Sequence, residues 1–342
     1  MNQPTHAWLA VEAYRKTVAL SRTPEGKQRK LNGLASLLGA NLRDVVIAAW
    51  LPDSLIKDMT YGHVFKNSAY EGDQTSRSTL PKEELRAHLA GDLVSPLVVF
   101  DHVPQNWWKA AYRVKPNGGH LPARVNALCQ TTRDMFKMGD NDVVALTDIR
   151  PKGAAPIAQK LLYSPRNIAM TLWMASHYIA DAHMPFHCDN RALASTAKQK
   201  THCDVENLWG KQVPSVFHSG NILKMTPEDI LATPLPPGSR FAGIIFGDRI
   251  SPLKNSGDPW KECVYMCRAS FATSFAWVPP DVSPVDDQKT KISIEDILTN
   301  DFCGETLFWD ISRAIMTDAA SAIAMFWQDA WCDFVRGSKT GN

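Results

Sequence analysis

The chain has 342 residues, enough for one large domain or two modest ones. It is 44% apolar and 21% charged, an ordinary globular composition, and its formal net charge of +2 lacks the basic excess that marks a nucleic-acid binder. No segment reaches the ~18 apolar residues of a membrane span, the start has neither a basic region nor an apolar run, and the odd set of seven scattered cysteines is no disulfide framework.

Helical patterns dominate the chain. Residues 7–20 are periodic, with Trp8, Leu9, Val11, Ala13, Val18 and Leu20. A basic, glycine-containing stretch at 22–32 interrupts them. Residues 42–50 read as an apolar helix ended by Leu51-Pro52-Asp53. Ser78-Thr79 before Pro81 is a helix-start signal, and 122–137 and 156–162 also read as helix. Ser164-Pro165 opens a helix that runs to about His183, before Pro185 stops it. Residues 305–335 form the longest helical pattern. The short apolar runs 97–100 and 242–246 fit either element type, and 232–260 and 278–290 read as long loops. The expected fold is all-α, a single multi-helix domain over 1–342 with long loops.

Two stretches pair a histidine with a carboxylate at i and i+4, one turn apart on a helix face: His177 with Asp181, and His202 with Glu206. His183, Pro185 and His187 follow the first pair closely. A mixed nitrogen and oxygen donor set suits a zinc ion that keeps room for water. His6 stands at the start of the first helix, while Asp53 and His63 follow the second. Helix ends are rigid supports from which ligands can converge. A lone His-x3-Asp is usually a surface pair; the conjunction of these residues carries the metal reading.

Other residues have plainer readings. Cys188 and Cys203 each follow a ligand histidine and are read as buried structural thiols. Cys263 and Cys267 form an isolated pair. His183 is read as a group beside the metal, and His88, His102, His120 and His218 as ordinary histidines. Trp107, Trp108 and Phe241 are assigned to the core.

In these motifs the chain resembles the bacterial zinc-dependent phospholipase C family, a relative of the fungal single-strand-specific zinc nucleases. The shared pattern His-x3-Asp-x-His/Asn-x-Pro-x-His is seen here as His177, Asp181, His183, Pro185 and His187. The phospholipase branch follows it with His-x3-Glu, here His202 and Glu206, where the nuclease branch has Asp. His6-x-Trp8 and the Asp53 and His63 pair are also similar, although the gap between the last two is shorter than the family's. The resemblance covers 6–206 as spaced motifs, and beyond 210 only the long C-terminal helix fits it.

The resemblance implies three zinc ions (Zn2+) in an all-helical cleft. One takes Asp53, His63, His177 and Asp181. A second takes His187, His202 and Glu206. The third takes His6 and Asp181, which makes Asp181 a bridge. In that family the third zinc also binds the backbone of an N-terminal tryptophan, which this chain lacks. Met1 lies five residues before His6, and its α-amine is expected in that role.

The implied activity is phosphodiester hydrolysis of phospholipase C type, with Asp53 as the ligand that also orients or deprotonates water. Glu206 and the weak net charge favour a glycerophospholipid over a nucleic acid. The partner is then a phospholipid met transiently at a membrane surface. The alternatives are a single-strand zinc nuclease releasing 5′-nucleotides and a protein whose zinc ions only hold its helices together. No protein partner is inferable. With no signal visible, the expected location is cytoplasmic as written, or outside the cell by a leaderless route.

Overall fold

The first helix, α1 (Gln3–Ser21), is buried almost all round from Thr5 to Tyr14. A helix so enclosed belongs at the centre of a helical protein. Its start is built by Asn2, whose side chain accepts from the Thr5 N–H, and by Pro4 in the first turn. A computed structural model describes residues 1–57, 62–65, 120–140, 144–145, 158–159, 164–189, 200–218, 220–242, 257–278, 292–299 and 303–337.

Around α1 stand α2 (Pro24–Gln28), α3 (Leu31–Ala40) and α4 (Val45–Ala48), the last continuous with a 3-10 turn at Leu42–Asp44. A π-type turn follows at Pro52–Ile56. Next come α5 (Leu121–Asp140), α6 (Pro165–Ala182), α7 (Pro185–Cys188) and α8 (Lys200–Gly210). Two 3-10 turns, Ser215–Phe217 and Gly220–Lys224, precede α9 (Pro227–Ala232). The chain closes with α10 (Pro259–Trp277), α11 (Ile294–Thr299) and α12 (Gly304–Gly337). Among the described residues no single helix is long and apolar enough to cross a membrane.

Helices α1, α6 and α12 pack on one another, and α5 and α10 close the bundle. Tryptophans lock the packing. Trp173 of α6 meets Trp327 of α12 edge to face at 5.0 Å, and the Trp327 indole donates to the Leu172 carbonyl at 3.0 Å. The Trp209 indole of α8 donates to Ser312 Oγ of α12 at 2.9 Å. Trp327 and Trp209 each bury a large aromatic surface while the one polar atom finds a partner. Phe241 is fully buried and stacks on Trp8 at 5.4 Å, a core residue as expected.

Several elements differ from the sequence reading. Residues 22–32 hold α2 and the start of α3. Pro52 begins a turn of helix, as prolines at the first turn do in α1, α2, α6, α7, α9 and α10. The helix read at 156–162 is not there in the described part: Ala158 and Gln159 pair antiparallel with Ala145 and Val144. Helix α10 starts at the far edge of the loop read at 232–260. Its signal is Asp258-Pro259, with the Asp258 side chain accepting from the Trp260 and Lys261 N–H groups. The helix start read at Ser78 and the run 97–100 lie outside the described residues, as does all of 242–246 beyond Ala242.

Glu12 is buried in α1 with Oε1 2.5 Å from Arg15 Nη1. Burial lifts its carboxyl to about 7, although Arg15 and Trp8 pull it down. A carboxyl raised in the folded state favours folding at low pH, and stability falls as pH rises from about 4.5 through about 7. Glu12→Gln is therefore expected to be more stable than the parent at pH 8, by up to about 3 kcal/mol. Urea denaturation at pH 8 and pH 5 checks this: the advantage should shrink at the lower pH.

Candidate metal centre

Asp181 is fully buried in the last turn of α6, and five nitrogens converge on its carboxylate. His63 Nδ1 lies 2.7 Å from Oδ2 and His177 Nε2 lies 3.2 Å from it. Around Oδ1 stand the Met1 nitrogen at 3.1 Å, His187 Nδ1 at 3.4 Å and His6 Nε2 at 3.5 Å. Local structure places each one. His177 precedes Asp181 by one turn of α6. The turn after α6 brings back His187 on α7, and the start of α1 supplies Met1 and His6.

The donors fall into three adjoining groups: His6, His177 and Asp181; Asp53, His63 and His177; His187, His202 and Glu206. Within each group one donor atom per residue lies within 4.8 Å of the others, and any of the groups could hold a metal ion. Bonds of ~2.0–2.1 Å to a tetrahedral zinc would put its donor atoms about 3.3 Å apart. In the second group His177 Nε2 lies 3.1 Å from His63 Nδ1 and 3.6 Å from Asp53 Oδ1. In the third group His187 Nε2 lies 3.0 Å from His202 Nε2 and 3.7 Å from Glu206 Oε1, and His202 Nε2 lies 2.7 Å from that oxygen.

Unpartnered atoms make the same point. His6 Nδ1 and Nε2, His63 Nε2 and His187 Nδ1 are buried without a hydrogen bond. Each such atom costs about 1–3 kcal/mol, and a cation among them would use the one lone pair that each neutral ring offers. The His177 ring is already oriented: its Nδ1 donates to the Ala49 carbonyl at 2.7 Å, which leaves the Nε2 lone pair facing the carboxylates. His6 stacks on it, ring centroids 3.8 Å apart.

The electrostatics free four of the donors of protons, Asp181, Glu206, His6 and His187, while His63 beside Asp181 is shifted upward. Burial alone would raise the Asp181 and Glu206 carboxyls, but the Met1 ammonium and nearby histidines hold both well below the usual carboxylate range. Burial keeps His6 well below the ordinary imidazole value and lowers His187 to about 4, so both rings are neutral at pH 7. Metal binding needs this protonation pattern. Burial also acts to lower the Met1 amine, yet Glu206 and Asp181 together raise it to about 10. Its ammonium bridges Glu206 at 2.7 Å and Asp181 at 3.1 Å, standing where a cation is favoured.

All nine residues expected as ligands thus meet in one region: Met1, His6, Asp53, His63, His177, Asp181, His187, His202 and Glu206. His183 is outside the three groups; its Nδ1 donates to the Ile179 carbonyl at 2.8 Å, and burial lowers it to about 4. His218 is an ordinary structural histidine, bonded to the Gly210 carbonyl. Cys188 is buried as expected, but Cys203 is exposed because it sits on the outer side of α8, one position past the inward His202. His88, His102, Trp107 and Trp108 lie outside the described residues. Trp50, Tyr178 and Phe186 were not foreseen as walls of the site. Their rings lie 6.2 Å from His6, 5.1 Å from His63 and 6.0 Å from His202. A signal existed, since each sits within three residues of a ligand.

No protein-family model, no curated protein and no solved structure matches this chain.

Because the donors converge on Asp181, Asp181→Ala should weaken divalent-metal binding, probed with zinc, by more than about 100-fold. Elemental analysis after dialysis, with calorimetric zinc titration, checks it; a variant that keeps the parent's metal content and affinity would remove Asp181 from the centre.

Proposed function

We propose that this protein is a zinc-dependent phosphodiesterase of phospholipase C type, cleaving the glycerol–phosphate bond of a glycerophospholipid to diacylglycerol and a phosphorylated head group. One observation carries the reading. Three donor groups adjoin one another around a single buried carboxylate, and the Asp181 and Glu206 carboxyls and the His6 and His187 rings are held in their deprotonated forms. Three zinc ions are the proposed complement, held by Asp53, His63 and His177 with Asp181; by His187, His202 and Glu206; and by His6 and the Met1 nitrogen with Asp181. Bound there, zinc supplies Lewis acidity, which makes water nucleophilic at neutral pH and offsets charge on phosphate oxygens.

The chain's own groups do the rest. Asp53 lies at the outer edge of its group, half-buried, and burial raises its carboxyl above the usual range. A carboxylate so placed can orient a water and accept its proton. Asp181 ties the groups together with its two oxygens. Trp50, Tyr178 and Phe186 give the site apolar walls, which strengthen the electrostatics inside. A multi-ion site of histidine and carboxylate argues against a purely structural role.

A second reading, a single-strand nuclease, draws support from Trp50, a half-buried indole beside His6 and His177 on which a base could stack. Parallel assays on phosphatidylcholine, phosphatidylethanolamine and single-stranded DNA, with and without chelator, decide. The expected result is head-group release that chelator abolishes, with DNA intact. DNA cleavage with intact lipid would favour the nuclease. Loss of the fold on chelation, with no activity in either state, would favour structural zinc.

The amine role has its own test. Extending the chain ahead of Met1 should lower zinc content and hydrolysis, and an extended protein equal to the parent in both would exclude the Met1 nitrogen as a ligand.

A further inference from the structure

Five large apolar side chains are exposed among the described residues: Ile47, Leu55, Ile56, Leu223 and Trp260. The first three belong to the short segment that carries Asp53, and Leu55 is 74% exposed. Leu223 sits on the 3-10 turn Gly220–Lys224, which packs against Leu42–Asp44 at the start of that segment. Four of the five therefore gather in one region.

The segment is two-faced. Val45, Ala48, Ala49 and Pro52 are buried. Arg43, Ile47, Leu51 and Leu55 follow one another at i+4 spacing, on a face that is exposed except for the half-buried Leu51. Outward positions on a helix are ordinarily polar. Here the outward middle is apolar, and exposed cations flank it: Arg43 and Lys57 at its ends, with Lys224 beside Leu223. The segment's own acids do not cancel them. Asp44 is neutralised by Arg166, whose Nε and Nη2 donate to it at 2.6 and 2.9 Å, and the Asp53 side chain, 12% exposed, turns into the metal centre. Apolar side chains ringed by lysine and arginine make the pattern of an interfacial segment, whose cations meet anionic head groups while its apolar side chains enter the acyl boundary.

We infer that the face formed by Arg43, Ile47, Leu55, Ile56, Lys57 and Leu223 docks the protein onto an anionic phospholipid bilayer beside the metal centre. The inference rests on the phosphodiesterase reading and deepens it. Asp53 is two positions from Leu55, and Trp50, between Ile47 and Asp53, touches the rings of His6 and His177. A bilayer held on this face presents its phosphates next to the donors.

The test is co-sedimentation of the full, zinc-loaded chain with vesicles of phosphatidylcholine, with and without phosphatidylglycerol. Hydrolysis of soluble bis(p-nitrophenyl) phosphate is followed in parallel. The parent should bind the phosphatidylglycerol vesicles better, and less so as salt rises. Ile47→Glu with Leu55→Glu should lower binding to both vesicles by about tenfold or more. Arg43→Glu with Lys57→Glu should lower binding to the anionic vesicles alone. In both variants the soluble diester should be cleaved within about twofold of the parent rate, which reports an intact fold and centre. A parent that sediments with neither vesicle overturns the inference, as do variants that bind like the parent. A parent that is a dimer, which Leu55→Glu dissociates, also overturns it and assigns the face to a second copy. Vesicle binding through these residues with no diester hydrolysis at all would sink the phosphodiesterase reading and leave the docking face standing.

Discussion

A carboxylate with no solvent exposure sits at the end of a buried helix, and the rest of the molecule is arranged to make that tolerable. Charge taken out of water is costly unless it is met by opposite charge and by donors. Asp181 is met by the Met1 nitrogen and by four imidazoles from α1, α6, α7 and the segment 62–65. Carboxylates at Glu206 and Asp53 extend the same cluster outward. A helical protein does not gather this many titratable groups at its centre for stability, because apolar side chains of equal volume would serve better. The cluster has the character of a site, and its unpartnered nitrogens say what kind of ligand would complete it.

The bundle holds the cluster rigid by unremarkable means. Tryptophans of α6, α8 and α12 fix the long helices to one another through ring contacts and single indole hydrogen bonds. The candidate donors then stand on helix ends and turns next to this frame, where small shifts in backbone direction can aim a side chain without disturbing the core. The Ala49 carbonyl shows how closely frame and site are joined. It ends α4 and also sets the tautomer of His177, so the packing of one helix decides which nitrogen of another faces the metal position.

The same segment links the site to the outside. Between Arg43 and Lys57 the chain buries Val45, Ala48 and Ala49, contributes Asp53 to the donors, and exposes Ile47 and Leu55. One stretch of about four turns therefore has a core face, a chemical residue and a surface face. For an enzyme acting on lipid, placing all three together would couple surface docking to the geometry of the donors.

What could be read from sequence is what depends on neighbours along the chain. The pairs His177 with Asp181 and His202 with Glu206 follow from one helical turn, and the start of α6 follows from Ser164-Pro165, whose hydroxyl accepts from the Arg166 N–H. The family resemblance implied a grouping of the separate pairs; in the structure the donors fall into three groups, with His177 standing beside His6 and Asp181 as well as beside Asp53 and His63. Other features were beyond local reading. Pro52 was read as a stop because proline breaks a helix interior, and only the packed chain shows it opening a new turn. Cys188 and Cys203 follow their histidines identically, yet one is buried and the other exposed, since burial depends on which side of the helix the bundle covers. The convergence of Met1, His6, His63 and Asp181 across more than a hundred positions, the Ala49 contact and the aromatic walls were decided by tertiary structure alone. They depend on how helices distant in sequence pack against one another, and no local pattern of residues encodes that distance.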